Sequence, residues 1–517
     1  MSNITIEDFR DRVDLIVRAL VHEPAYLWRR GQRQVGNILE VNDIYDAMLA
    51  DPEVGIATSS DSAAGTPAGV MRKWQLALKT GSVPREYLQF IYVLYPSVRH
   101  VLEAPLDEFK TFIAPQASAR REWERAMDHL ARHRFDLAKL AKRYYADVDE
   151  TQKSDFPYGD FPLIARRDWI LDRPLLVTEG FELDPPEFRT IQAPEPPVLD
   201  GIGLSALTLK QSVTLRKRLA KTGRPYWNGL TYRVLDIERR GPSLHFILGN
   251  STYFEYVNSC EARALELARA DLRHAGAFGK DSLPIRISPG DVFSFLGRAT
   301  FPGVNCLTIL RNYEEPNTIT DTAHDVYLVH FRDDTLLEAQ NCVHVVPAGG
   351  HQPLSNDLGD PSSIHIWKTA AREFLEELRG YEELDEHHEG KAGFLEARPE
   401  FKTLFLPAAD GGIIAKIFLM GAGIDPVTTK VEVLIAIVVD WRAARSRIAK
   451  LELVPNYEGK VRRVRFLSST SERKEQLRHE AMGFIHAPWG VPLPALPAGA
   501  ACFQLAAAHY ETLMEIA

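Results

Sequence analysis

Apolar and polar positions follow two different periods along this chain. From residue 1 to about 150 the apolar positions recur at helical spacing, which predicts a helical N-terminal domain over 1–150. Thr66-Pro67 offers a capping hydroxyl and a proline in the first turn, so a helix should run through Met71, Trp74, Leu76 and Leu78 and stop near Gly81. A second helix starts at Pro84 and carries Tyr87, Phe90, Ile91 and Leu94. Ser118 to Tyr145 places Trp123, Met127, Leu130, Leu137 and Leu140 at roughly helical spacing. Two short helices and a tight turn can form a DNA reader, but the second helix carries no Arg/Lys cluster. A helical packing domain is the expectation.

The period is lost over 151–204, where eight prolines fall between Pro157 and Pro197. This composition predicts a linker or an extended strap. Phe161-Pro162-Leu163 and Trp169-Ile170 are too apolar for a free linker, so the strap should dock on the domain that follows.

From 205 to 517 the pattern is mixed. Helices are expected at Leu204–Ala220, Cys260–Leu272, Ser363–Leu378 and Ala498–Met514. Strands are expected at Leu230–Ile237, Leu244–Leu248, Val304–Arg311, Val326–Phe331, Cys342–Val346, Ile413–Met420 and Glu432–Asp440, with Arg240-Gly241-Pro242 as a hairpin turn. Strands interleaved with helices predict an α/β class, with a mixed sheet between helical layers as an α/β/α sandwich. No repeat of 20–50 residues is evident.

Composition narrows the function classes. The 517 residues exceed one typical domain. The net charge of −9 disfavours nucleic acid as the main partner. The longest apolar run, Val433–Val439, is too short to cross a bilayer, so no membrane partner is expected. Cys260, Cys306, Cys342 and Cys502 are scattered without Cys-x-x-Cys spacing, and with the charged N-terminal stretch they suggest a cytoplasmic protein with reduced core thiols.

The candidate chemistry sits on the helix Arg372-Glu373-Phe374-Leu375-Glu376-Glu377. Glu373, Glu376 and Glu377 fall at i, i+3 and i+4, so three carboxylates share one face and repel unless a cation neutralises them. Oxygen-only donors suit Mg²⁺ or Mn²⁺. The plainer alternative is a solvated face with an Arg372–Glu376 pair. A strand ending in Pro347-Ala348-Gly349-Gly350 precedes the helix, and its bare carbonyls could complete an oxygen-rich site.

In this order of strand, glycine turn, loop and Arg-Glu-apolar-x-Glu-Glu helix, the C-terminal part of the chain resembles the Nudix hydrolase family. The box is altered. The loop between Gly350 and Arg372 is longer than the family's standard, Ile364 beside His365 stands where the first glutamate is expected, and Arg379 stands where a glycine is expected, with Gly380 next. The resemblance implies a Nudix-like α/β/α fold. It implies that Glu373, Glu376 and Glu377 hold Mg²⁺ or Mn²⁺, that the Gly349 or Gly350 carbonyl adds a ligand, and that Arg372 orients the carboxylates. It also implies a further acidic ligand, for which Glu432 is the first candidate and Asp425 the second. Glu376, Glu377 and Arg372 would be the catalytic set. The implied activity is metal-dependent hydrolysis of a nucleoside-diphosphate-linked or similar organic pyrophosphate. The alternative is a Nudix-like ligand-binding protein that has lost hydrolysis, with the N-terminal domain as output. A phosphorylated small molecule is the expected ligand, and self-association stays open.

Other residues weigh less. His387-His388 reads as loop, Arg298, Arg311 and Arg332 as strand-end cations, and Tyr253, Phe254 and Tyr256 as core packing. No Gly-x-x-x-x-Gly-Lys-Ser/Thr loop and no Gly-x-Ser-x-Gly elbow occurs.

Overall fold

A computed structural model describes residues 6–19, 25–29, 32–36, 101–177, 187–188, 230–287, 291–314, 323–332, 342–353, 364–381, 393–448, 452–454, 459–482, 485–486, 492–493 and 495–516. The helices expected at 66–81, 84–94 and 204–220, and the His387-His388 pair, lie outside these residues. The chain divides into two compact units, Met1–Asp128 with Leu199–Trp227, and His129–Val198 with Asn228–Ala517. The first break of this division follows Asp128, and most of the residues expected as a strap belong to the second unit.

The first unit contains α1 (Ile6–Ala19), a hairpin of β1 (Ala25–Arg29) and β2 (Gln32–Gly36), and the start of α2 (Leu106–Arg143). The hairpin departs from the all-helical expectation. α1 buries Phe9, Val13 and Ile16, spaced four and three apart as one helical face requires. Arg12 on the same helix donates to the Leu102 and Ala104 carbonyls at 3.0 and 2.7 Å and pairs with Asp8. α2 leaves helical dihedrals at His133 (φ −118°, ψ 19°).

The second unit is α/β. Its main sheet has β3 (Ile170–Leu176), β7 (Gly303–Tyr313), β8 (His324–Arg332), β9 (Cys342–His344), β10 (Ala348–Gly350), β11 (Ala415–Ile424), β12 (Val431–Asp440) and β13 (Gly459–Arg465). The spatial order is β13-β8-β7-β12-β11-β3, with β9 on β8 and β10 on β7. β7 and β12 run parallel and the other pairs are antiparallel, so the sheet is mixed. β7, β11 and β12 are buried along nearly their whole length, the composition expected of strands covered on both faces. A second sheet joins β4 (Glu187–Phe188) with the hairpin β5 (Leu230–Arg240) and β6 (Ser243–Thr252), whose turn sets Gly241 at φ +56°. The helix α3 (Ala262–His274) follows that hairpin.

Strap residues are part of this core. Phe161, Leu163, Ile164, Trp169 and Ile170 are all buried. Ile164 exchanges both backbone hydrogen bonds with Ile424, and β3 continues as a strand on β11. Upstream, Asp149 accepts from Thr151 and from the Ala165 N–H, and Lys142 donates to the Phe161 carbonyl. These bonds tie the end of α2 to the strap, which is why the unit begins before residue 150.

Several helices complete the unit: α4 (Ile366–Arg379), α5 (Pro399–Phe405), α6 (Trp441–Arg447), α7 (Thr470–Ala481), α8 (Pro497–Ala508) and α9 (Tyr510–Ile516). One C-terminal helix was expected over 498–514. The structure breaks it at His509 (φ −106°, ψ 18°). α6, α7 and β13 have no counterpart in the sequence reading. α7 is nearly all polar and is set by a reciprocal cap, Ser469 with Glu472, so hydrophobic periodicity does not reveal it.

Candidate functional site: helix carboxylates over a glycine strand

β10 lies antiparallel on the start of β7, pairing Ala348 with Asn305, Gly349 with Val304 and Gly350 with Gly303. α4 packs on β10 and β7. Both glycines of β10 are sterically required. A Cβ on Gly349 would overlap the Glu373 carboxyl, and one on Gly350 would stand 2.6 Å from the Phe301 ring. The backbone thus approaches the helix more closely than any larger residue permits.

α4 has no side-chain cap at His365. His351, just past β10 and fully buried, secures its start instead. A carbonyl only accepts, so His351 Nε2 donates to the Ile364 carbonyl at 3.0 Å, and Nδ1 then accepts from Thr369 Oγ1 at 2.8 Å. The ring stacks on Tyr232 at 4.6 Å. Burial, followed by the field of Arg372, lowers its pKa to about 3, so the ring is neutral. Gly380 ends the helix in the left-handed conformation at φ +68°.

The three glutamates of α4 have different surroundings. Glu373 accepts from Arg372 Nη2 at 2.6 Å. Glu376 is half-buried, with Oε1 3.9 Å from Arg372 Nε, so the i,i+4 pair expected from sequence is present but long. Arg372 Nη2 also lies 3.5 Å from the Gly350 carbonyl. Glu377 turns inward at 2% exposure, and its Oε1 accepts from the Ala348 N–H at 2.9 Å. Its Oε2 is 3.8 Å from His330 Nδ1. Burial, then Arg332, lowers the His330 pKa to about 3, which makes this a contact with a neutral ring.

Glu432 faces the other way. Side chains alternate across a strand, so Gly349 shares a face with Val304, whereas Gly350, Gly303 and Glu432, in register across three strands, share the opposite face. Cys306, on the Val304 face, has its pKa raised by burial and then by Cys502, Glu377 and Glu373. On the opposite face Asn305 Nδ2 donates to Glu432 at 2.8 Å, and Lys430 Nζ stands 3.7 Å from the same carboxylate. With its amide nitrogen so oriented, Asn305 presents Oδ1 to His344 Nε2 at 2.9 Å. A Cβ on Gly303 would overlap Glu432. Glu432 is therefore not brought together with Glu373, Glu376 and Glu377. Asp425, the second candidate, accepts from the Val427 and Thr428 N–H groups at 2.7 and 2.9 Å and shapes the turn before β12.

A fit to a hard cation is partial. The donors on α4 are all oxygen and carbonyls of β10 are near, which matches Mg²⁺ or Mn²⁺ chemistry. Yet Arg372 engages Glu373 and Glu376, and among the described residues no three His, Cys, Asp or Glu side chains converge as a metal cluster. Of the residues weighed less, Arg298 is buried on backbone carbonyls, and Tyr256 packs edge-on against Phe301 at 4.3 Å. Sequence reasoning missed Asn305, His330, His344 and His351. Each is one polar residue in an apolar strand or beside a glycine pair, and that interruption is the signal they leave. Among the described residues no helix is long and apolar enough to cross a membrane. No protein-family model matches the chain, and the search of curated proteins gives no match.

Proposed function

We propose that the second unit is a Nudix-like α/β/α domain that hydrolyses a nucleoside-diphosphate-linked or similar organic pyrophosphate with Mg²⁺ or Mn²⁺. The observation that carries this reading is the seating of Glu373 on Gly349, one helical turn from Glu377 on the Ala348 N–H. It sets carboxylates against a strand that has no side chain in the way. A bound divalent cation would supply Lewis-acid activation of water and screening of charge on the leaving phosphate. Glu373, Glu376 and Glu377 would hold it, with a carbonyl of Gly349 or Gly350. Arg372 would keep the carboxylates oriented in its absence and yield Glu373 and Glu376 when it binds. Glu377, fixed by the Ala348 N–H, would stay in place throughout. Turnover of a panel of organic pyrophosphates with Mg²⁺ tests the reading. Wild type should release phosphate or a mononucleotide, and the Glu376→Gln, Glu377→Gln double variant should not. Equal turnover by both removes the enzyme reading.

A second reading is a ligand-binding protein without hydrolysis. It is favoured by Arg372, which already neutralises two of the three carboxylates. Ligand binding that survives chelation, without product, selects this reading.

A further inference from the structure

The main sheet ends on two edge strands, β3 and β13. An edge presents unpaired N–H and C=O groups, and natural edges are blunted by proline, by bulges or by charge. β3 carries Pro174, which has no N–H to offer, and its sequence mixes Asp172 with Arg173. β13 reads Gly459-Lys460-Val461-Arg462-Arg463-Val464-Arg465, with no proline and no acid. All seven residues pair antiparallel with β8, from Gly459 on Arg332 to Arg465 on Val326, without a register shift. Among the described residues no strand pairs with the other side of β13. The open stretch closes at its C-terminal end, where the Arg465 carbonyl accepts from Gln476 Nε2 of α7 at 3.1 Å.

The charges of β13 have an order. Lys460, Arg462, Arg463 and Arg465 are exposed, and Val461 and Val464 are half-buried. Side chains alternate along a strand, so Lys460, Arg462 and Val464 share one face of the sheet and Val461, Arg463 and Arg465 the other. Arg463 lies over the Tyr313 ring at 5.6 Å. The one acid of β8, Asp325, accepts from Arg473 at 2.8 Å. From either end, Lys460 to Arg465 reads cation, apolar, cation, cation, apolar, cation. A second copy paired about a two-fold axis centred on this stretch would set Lys460 against Arg465 and Arg462 against Arg463. Like charges directly opposite one another destabilise a strand pair, so this order works against self-addition. Nucleic acid fits less well too. The cations divide between two faces, so a phosphate backbone along either face meets only half of them.

An extended segment of the opposite order meets all four cations. Laid beside β13, it would share backbone hydrogen bonds with the residues whose N–H and C=O point outward, every second one of an antiparallel ladder. Its side chains would fall opposite those of β13, an acid against each cation and an apolar residue against each valine, and opposite charges across strands attract. We propose that β13 is a docking edge for an acidic, extended segment of a partner protein, added to the sheet as a further strand in the order acid, apolar, acid, acid, apolar, acid. This order is the same in both directions, so it serves parallel and antiparallel addition alike. The edge uses no residue of α4, needs no metal and does not rest on the hydrolase reading.

The test uses the full chain and fluorescein-labelled peptides with Gly-Ser flanks. One carries Glu-Val-Glu-Glu-Val-Glu, and a second, of the same charge and composition, carries Glu-Glu-Val-Val-Glu-Glu. Anisotropy gives the affinity and hydrogen exchange locates the peptide. The first peptide should bind, less tightly as salt rises, and should slow amide exchange within Gly459–Arg465. The second can set at best two of its four acids opposite cations in any register, and should bind about two- to thirtyfold more weakly. The double variant Arg462→Glu, Arg463→Glu should lose the first peptide and gain a third, Glu-Val-Lys-Lys-Val-Glu, which restores both charge pairs. That exchange of peptides also shows that the variant is folded. Glu376→Gln should bind the first peptide as wild type does. The proposal is overturned if wild type binds neither acidic peptide, binds both equally, or is protected only outside β13. It is overturned as well if oligothymidylate binds more tightly at the same ionic strength and protects the same amides, which assigns nucleic acid, or if the peptide-free chain is a dimer through β13, which assigns a second copy.

Discussion

The Glu373 carboxyl occupies the space that a Cβ on Gly349 would need. Gly349→Ala must push the carboxylate away, disturbing its 2.6 Å bond with Arg372, or lift β10 from α4. We expect Gly349→Ala to cost about 1–3 kcal/mol, the range for overpacking a close contact. In a double-mutant cycle Glu373→Ala should recover about 1 kcal/mol or more of that loss. Urea unfolding of the four proteins measures this. Strictly additive losses would mean that the two residues do not touch.

Gly303 and Glu432 repeat this relationship on the opposite face. Gly303→Ala should couple to Glu432→Ala and not to Glu373→Ala, since side chains on opposite faces share no contact. The coupling expected for the first pair is about 0.5–3 kcal/mol, and for the second it is within about 0.5 kcal/mol of zero. Strong coupling of Gly303 to Glu373 would place both carboxylates in one site and restore Glu432 as a ligand candidate.

Much of the second unit's α/β organisation was legible because its strands and helices carry strong periods. β12 contains the unbroken apolar run Val433–Val439 and α4 is an amphipathic helix with a glycine stop, and both lie within a few residues of expectation. The i,i+4 pair of Arg372 with Glu376 also followed from helical spacing. The direction of Glu432 did not. It depends on the register of β7 with both β10 and β12, a relation between strands distant in sequence that a local pattern does not contain. That the strap docks followed from its apolar residues, but the strand it docks on did not, for a similar reason. Prolines signal the loss of helix, but whether Ile164 finds a backbone partner at Ile424 is decided by tertiary contact.

Three buried histidines predict a defined acid response. Burial lowers His330 and His351 to about 3, and lowers His344 well below its ordinary value. In the unfolded chain each titrates near about 6.5. Between about pH 6.5 and pH 3 the unfolded state therefore binds more protons, so stability is fully present above that range and falls as pH is lowered through it. His344→Gln keeps a donor for Asn305 Oδ1 and removes one titrating group. Its stability should depend less on pH near 5, by about 1.4 kcal/mol per pH unit. Urea unfolding across this range measures it, and identical slopes for variant and wild type would show that His344 is already charged in the fold.

The carboxylates of α4 give the last expectation. Without a cation, Arg372 bonds Glu373 at 2.6 Å and reaches Glu376 only at 3.9 Å. Glu376→Gln should therefore change the stability of the metal-free fold little. Loss of the long pair with Arg372 and relief of repulsion from Glu373 and Glu377 are each worth about 0.2–0.5 kcal/mol and oppose one another. If α4 binds Mg²⁺, millimolar Mg²⁺ should raise the wild-type Tm, because a ligand of the native state stabilises it by mass action. Glu376→Gln should lose most of that rise. Arg372→Gln should keep it or enlarge it in proportion to the competition that Arg372 exerts for Glu373 and Glu376, after a basal loss from leaving Glu373 without its short partner. Melting curves of the three proteins in EDTA and in Mg²⁺ decide the matter. If the wild-type curves superimpose while Arg372→Gln responds to Mg²⁺, the arginine is what keeps the cation out, and the protein as it stands binds its ligand without one. If neither responds, the three carboxylates are a structural face of α4.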